Sequence, residues 1–444
     1  MSGQSRASKA LPTPILLIML ATLSGYGARV LLSPMQELIK RDLDLGDNQI
    51  SLLQGMSFAL PVLLLSLPLG RMVDKGNRLQ LLKVLAACWL AGTVLSALAP
   101  NFWTLFLARM LVAAGVVGAA PVALSLAADL TMAAQRGRAM MLLTIAQVAG
   151  GALAFWFGGH LLSWAAQLGG LAPAPWRLAH LVFALVLLLP LLALRWLREP
   201  VRSERVAAKP PPLPEALALL WRWRAFVLPL FVGQISVSMA DSAAMIWAVP
   251  VLVRRFHLHP QEFAGWMGML FLVSGLAGAF LGGKLAEVAH RRAGVRGLCM
   301  SAALAALASV PAALFPLADA APGFAALLAL LLLSGAMVGV IASTLIAVGL
   351  PNELRGSCVG LLSMLGALLC YGLAPLAVST LAGQLGSAGR IDLALALVGL
   401  CTAACAPPAF LLCARHRHVL PGAFAPTGGK RAGAASSPSS LECP

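Results

Sequence analysis

The chain has 444 residues, of which 60% are hydrophobic and 11% charged, with a formal net charge of +16. A water-soluble domain carries about 25% charged residues, so a soluble fold this apolar would present a surface that water could not solvate, and hydrocarbon is the solvent that fits. The basic residues lie between apolar blocks rather than along one polar face, which argues against nucleic acid as a partner.

A membrane helix needs about 20 mainly apolar residues to cross a core of roughly 30 Å. Twelve runs qualify: 14–36, 49–70, 80–99, 103–128, 138–163, 177–195, 225–251, 261–283, 297–318, 323–349, 356–383 and 391–413. The first run follows Arg6 and Lys9 as a signal peptide would, but reaches Arg29 without a convincing cleavage site. It reads as an uncleaved first span. With the N-terminus in the cytoplasm, the outer segments hold only Lys40, Arg41, Arg177, Arg254, Arg255 and Arg390 of the 32 basic residues. Arg29 and Arg109 fall inside helices, and all the others are cytoplasmic. The positive-inside rule predicts this bias, so the count supports both the orientation and an even number of spans. Both termini are therefore expected in the cytoplasm, and the alanine and leucine richness suits a bacterial inner membrane.

The longest internal connection, 196–224, carries Lys209-Pro-Pro-Pro-Leu-Pro and divides the chain. The expected organisation is a short N-terminus (1–13), a six-helix bundle (14–195), a linker (196–224), a second six-helix bundle (225–414) and a disordered tail (415–444) rich in Gly, Ala, Ser and Pro. The halves repeat. Leu45 and Leu258, Gly55 and Gly268, Gly70 and Gly283, and Asp74 and Glu287 are each 213 residues apart. Arg136-Gly137 and Arg355-Gly356 match at 219. Several pairs at one offset, each in the same loop of its half, indicate duplication. Six spans per half make the repeat parallel, one of the recognised plans for transporters.

The loop after the second span reads Gly70-Arg-Met-Val-Asp74-Lys75-Gly-Asn77-Arg78. A glycine at a helix end admits a close neighbour, and an acid at the membrane edge needs a basic partner. Asparagine at 77 tolerates the left-handed conformation such a turn can require. With Asp129, Arg136, Gly137 and Arg138 after the fourth span, and Gly283, Glu287 and Arg355 in the second half, this loop resembles the signature of the major facilitator superfamily. The resemblance implies a cytoplasmic gating network of charges that stabilises the outward-facing state. The stretch Leu43-Asp-Leu-Gly-Asp-Asn-Gln-Ile-Ser-Leu-Leu-Gln-Gly55, Asn101-Phe102-Trp103, Arg109, Pro121, Ser125, and Trp247, Pro250 and Phe256 resemble the Spinster-like branch. That likeness implies movement of lysolipids or sphingolipids, often coupled to protons. Two acids common in the branch are absent. Ala28 precedes Arg29 in the first span, and Gly115-Val116-Val117-Gly118 stands in the fourth.

Asp241 is the one acid expected deep in the membrane, and the 213-residue offset sets it opposite Ala28. A buried carboxylate costs several kcal/mol unless it is protonated, paired or wetted. Asp241 is thus read as a proton or cation site, paired with Arg29 across the halves or fixed locally by Gln234, Ser238 or Ser242. Arg29 and Arg109 suit an anionic head group, because a guanidinium binds phosphate or carboxylate in a bidentate way. A structural role for Arg109 is equally open. Tyr26, Tyr371 and Gln147 complete the candidate substrate contacts.

Other signals are bland. The eight cysteines are scattered, without a C-x-x-C. Gly278-x4-Gly283-Lys284 lacks the context of a phosphate loop, and the pairs His257/His259 and His416/His418 lack further metal ligands. No catalytic cluster is visible, so neither an enzyme nor a cofactor is expected. The reading is an all-α, monomeric, alternating-access transporter of a small amphipathic or organic anion. A drug or metabolite exporter, a passive uniporter and a non-transporting sensor are the alternatives.

Overall fold

The computed structural model describes residues 13–167, 174–200, 213–386 and 390–415. The expected N-terminal segment, the proline-rich part of the linker and the tail lie outside the described residues. Every regular element described is helical. The spanning helices are α1 (Thr13–Val30), α2 (47–75), α3 (Arg78–Leu98), α4 (Phe102–Leu130), α5 (Ala133–Gln167), α6 (Pro175–Ala193), α7 (Arg224–Arg254), α8 (260–292), α9 (295–312), α10 (Ala321–Gly349), α11 (352–384) and α12 (Ile391–Arg415). Helical hydrogen bonding runs on through the α8–α9 loop, but Ala293 and Gly294 leave the helical region, Gly294 with φ of +58°. That break makes twelve spans of what would otherwise be eleven. Large apolar side chains that face outward, including Leu64, Leu107, Leu185, Leu189 and Leu304, are more than 60% exposed. Such a surface is suited to lipid.

Local chemistry sets the helix ends. Pro34 lacks an amide proton, and α1 stops short of it in a 3₁₀ turn, Ser33–Met35, followed by a short helix, Gln36–Asp42. The sequence run extends to residue 36, so the first span is shorter than its apolar stretch. Asn101 caps α4 by accepting from the Thr104 amide at 3.1 Å. Asn77 caps α3, accepting from the Gln80 amide at 2.7 Å, with φ of −75°. It therefore serves as an N-cap and not in the left-handed turn expected of it.

Helices α1–α6 form one bundle and α7–α12 the other. The halves meet along two seams. In the first, α5 packs on α8, with Phe155 edge-on to Phe271 at 5.3 Å and Gly159 against Ala264. In the second, α2 crosses α11 where Gly55 lies directly on the Tyr371 carbonyl, an approach that leaves no room for a Cβ. The Ser51 hydroxyl donates to the Pro375 carbonyl at 3.0 Å and lies 2.9 Å from Ser379 Oγ. Both helices carry a π-helical turn at this crossing, Leu52–Met56 in α2 and Ala367–Leu373 in α11. Both seams lie toward the end of the molecule that carries Glu37, Asp47 and Arg254. Toward the opposite end, marked by Arg78 and Asp129, the halves part and a cavity opens.

Candidate functional site

The cavity has a volume of about 560 Å³. Helices α7, α10 and α11 supply most of its wall and α2 the rest. Its polar groups are Gln234, Ser238, Ser343, Ser363 and Tyr371, set among Val62, Ile235, Ala342, Leu362 and Ala367. The lining is amphipathic and carries no charge of its own.

Arg29, Tyr26 and Arg109 are not among the lining residues; Arg29 meets the cavity only through two of its lining rings. The Arg29 guanidinium lies 3.6 Å from the centre of the Phe58 ring and 4.7 Å from that of Tyr371. The two rings meet edge to face at 5.0 Å. Helices from both halves thus hold one cation by its π faces. Among the described residues, the guanidinium has no hydrogen bond and no carboxylate partner. Tyr26, one turn earlier on α1, is half-buried and within electrostatic reach of Arg29 and Tyr371.

Arg109 is buried and does something different. Its guanidinium donates to the Ala28 carbonyl at 3.0 Å and to the Arg29 carbonyl. The last carbonyls of an α-helix have no partner within the helix, and α1 ends at Val30. Arg109 therefore caps α1 from α4 and fixes the backbone that presents Arg29. Gln147 is half-buried on α5 and is not among the residues that line the cavity.

Asp241 lies on α7 with its carboxylate against Gly335 of α10, where a side chain would overlap it. Among the described residues, its buried Oδ1 has no hydrogen-bond partner, nor does Gln234 Oε1 two turns earlier. Gln234 Nε2 donates to Ser238 Oγ at 3.0 Å, and the Ser242 hydroxyl donates to the Cys370 carbonyl. The expected Arg29–Asp241 ion pair is not formed in this conformation. The Asp241 carboxylate packs on α10, whereas Arg29 lies on the rings of α2 and α11.

At the open end, Arg78 is buried and pairs with Asp129 and with Glu199, the latter at 2.9 Å; Ser125 Oγ accepts from it at 3.0 Å. Arg136 donates to the Ala128 carbonyl at 3.2 Å, and Arg355 to the Leu350 carbonyl at 3.0 Å. Glu287 pairs with Arg291 one turn along α8. Nothing lies within 4 Å of where a Cβ would stand on Gly70 or Gly283. Among the described residues, the close approach expected at these glycines is not made in this conformation. The side chains of Asp74 and Lys75, two further members of the expected gating motif, lie outside the described residues, and Arg138 is exposed in the first turns of α5.

One cluster escaped the sequence reading. At the closed end, Arg254 of α7 donates to Glu37 Oε1 at 2.7 Å and Oε2 at 3.2 Å, and to Asp47 Oδ1 at 2.7 Å and Oδ2 at 2.9 Å. Lys40 adds a bond to Asp47 at 2.5 Å. Gln36 Nε2 donates to the Ile246 carbonyl at 2.9 Å beside them. This latch joins the halves. Sequence marked Lys40 and Arg254 only as outer-loop charges, and nothing in their spacing links residue 37 or 47 to 254.

Comparison with known proteins agrees with the architecture. The chain is 29% identical over 262 residues to Protein spinster homolog 1 of Mus musculus, covering 57% of this chain and 47% of that protein. It is 27% identical over 269 residues to an MFS-type efflux pump of Mycolicibacterium smegmatis, covering 59% of each. The matches thus span about half the length of these relatives. A crystal structure of a bacterial homologue of the human lysosomal transporter Spinster, inward-facing and unoccupied, superposes with a TM-score of 0.72. It is 22% identical in sequence, and the match covers 90% of this chain and 96% of that one. The Major Facilitator Superfamily family model matches residues 17–375. Two pseudo-symmetric six-helix bundles, a cavity between them and this match over most of the length place the chain in the Major Facilitator Superfamily, with a likeness to its Spinster-like branch.

Proposed function

We propose that the chain is a secondary transporter that carries a small amphipathic or organic anion, a lysolipid among the candidates, by alternating access coupled to protons at Asp241. The observation that carries this reading is Arg29. A guanidinium without a carboxylate partner among the described residues, stacked on two rings that line an amphipathic cavity, is a donor fork for a phosphate or carboxylate that reaches past those rings. The rings belong to different halves, so an anion that pulls Arg29 away from Tyr371 loosens the seam. The cavity wall, serines and one glutamine among aliphatic side chains, suits the apolar part of an amphipath.

Asp241 supports coupling rather than passive uniport. A carboxyl with a buried, unpartnered oxygen is held most cheaply as the neutral acid. Its exposure in another conformation would release that proton. The lysine and arginine bias supports an orientation with the Arg78 face in the cytoplasm. On that orientation both termini are cytoplasmic, the described conformation opens inward, and a bacterial inner membrane is the natural location. The chain is taken to act as a monomer, with bundles 14–195 and 225–414 rocking about the linker 196–224.

The test is counterflow in proteoliposomes loaded with an anionic lysolipid. Saturable uptake is expected, with Arg29→Ala lowering it about 30-fold through the loss of roughly 2 kcal/mol of charge-assisted bonding. Binding without flux would instead mark a sensor, and unchanged uptake in Arg29→Ala would remove the anion contact.

A further inference from the structure

The two halves treat one corner of the fold in opposite ways. In the first half, α3 opens with Arg78, two residues beyond Gly76. Two carboxylates meet that arginine: Asp129, the penultimate residue of α4, and Glu199, just past the end of α6. The corner is neutralised from within.

In the second half, α9 follows the break at Gly294, and Arg296 again stands two residues beyond the glycine. The penultimate residue of α10, however, is Val348, and the end of α12 carries Arg415. Where the first half supplies two acids, the second supplies a second cation and no acid. Both arginines are exposed, and neither has a hydrogen bond or ion pair with a described residue. They line a groove of about 370 Å³ between α9 and α12 together with Met300, Leu411 and Ala414. Met300 and Leu411 are 47% and 42% exposed, on the lipid-facing side of those helices.

Two guanidiniums in one groove repel each other unless an anion sits between them. The groove is polar and cationic at the membrane edge and apolar below it. That ordering matches a phospholipid, with charge at the surface and hydrocarbon beneath. A diffusible anion would find no use for the apolar part. We propose that the α9–α12 groove is a binding site for an anionic phospholipid. Arg296 and Arg415 take its phosphodiester, and Met300 and Leu411 take the first methylenes of an acyl chain. The missing carboxylates of the second half are thereby replaced by a phosphate from the bilayer. This site is separate from the central cavity and does not depend on what the cavity carries.

The test uses the purified full-length chain in detergent, with phosphatidylglycerol or phosphatidylcholine added. Native mass spectrometry should retain phosphatidylglycerol in preference to phosphatidylcholine. Arg296→Ala with Arg415→Ala should weaken that retention roughly 30-fold. Equal retention of the two lipids, or an unchanged preference in the double variant, would overturn the site. Arg415→Glu guards against a variant that merely misfolds, because it installs a carboxylate where the first half has one. This variant should unfold at a temperature no lower than the parent and lose the stabilisation that phosphatidylglycerol gives. Stabilisation by phosphatidylglycerol that survives in Arg415→Glu would refute the role of Arg415. Inorganic phosphate alone should leave the unfolding temperature unchanged; a shift equal to the lipid's would overturn the assignment to lipid.

Discussion

Removal of Arg254 should open the closed end of the protein. Its guanidinium makes four hydrogen bonds to two carboxylates at 2.7–3.2 Å, and all four join α7 to the first half. The side chains of Arg254, Glu37 and Asp47 are 28%, 12% and 20% exposed, so water screens the pairs only in part. A charge-assisted bond contributes roughly 1.5–3 kcal/mol when buried, and an exposed pair 1 kcal/mol or less. For this half-screened latch the net is about 2 kcal/mol, which is roughly a 30-fold change in the ratio of conformations. Spin labels at Arg41→Cys and Gln261→Cys, both exposed and on opposite sides of the latch, would report it by double electron–electron resonance in a background without native cysteines. Arg254→Ala should enrich a longer distance, and Arg254→Lys should fall between, because an ammonium keeps the charge but not the fork. A distance distribution in Arg254→Ala identical to that of the parent would refute the claim that this cluster holds the halves together.

Three further outcomes are expected. Arg109→Ala strands the Ala28 and Arg29 carbonyls and should cost about 2–4 kcal/mol, read as a lower thermal unfolding temperature, with Arg109→Lys rescuing only part. Gly55→Ala drives a Cβ into the Tyr371 carbonyl. It should enrich the same long distance as Arg254→Ala, at a cost of roughly 1–3 kcal/mol to the closed seam. Asp241→Asn, if active, should transport at a rate independent of an imposed pH gradient, whereas the parent should be driven by one; retained pH dependence would exclude Asp241 as the proton site.

The spans were legible in the sequence because a membrane helix has to be both long and apolar, and little else in a chain is. The apolar run 225–251 and helix Arg224–Arg254, or 323–349 and Ala321–Gly349, differ by a few residues at most. The α1 end differs more, because Pro34 breaks a run whose hydropathy continues past it. The contacts that build the site were less legible. Arg29 stands out in the sequence as a base at depth and Tyr371 as a candidate contact, but their juxtaposition across the halves, and Phe58 between them, do not, because Phe58 reads as an ordinary lipid-phase residue. Arg109 was legible as unusual, yet its role depends on α1 ending at Val30, which only the geometry of the break reveals. The Arg254 latch was invisible for a related reason. Charges in short outer loops set orientation, and only three-dimensional proximity distinguishes a latch from a solvated loop.

The paired π-helical turns at the α2–α11 crossing have a consequence for how each helix is used. An α-helix advances 100° per residue, so one extra residue in a turn offsets everything beyond it by about that angle. Along α2, Ser51 and Gly55 address the opposing half, while Phe58 and Val62 border the cavity and touch the other half only at its edge, through Tyr371 and Ala367. Along α11, Pro375 and Ser379 face the first half, while Ser363 and Gly366 border the open space. A regular helix would point a single stripe in one direction over its whole length. The phase jump gives each rod two stripes, one for gluing the bundles together and one for lining a passage, and it puts the changeover beside the stacked arginine.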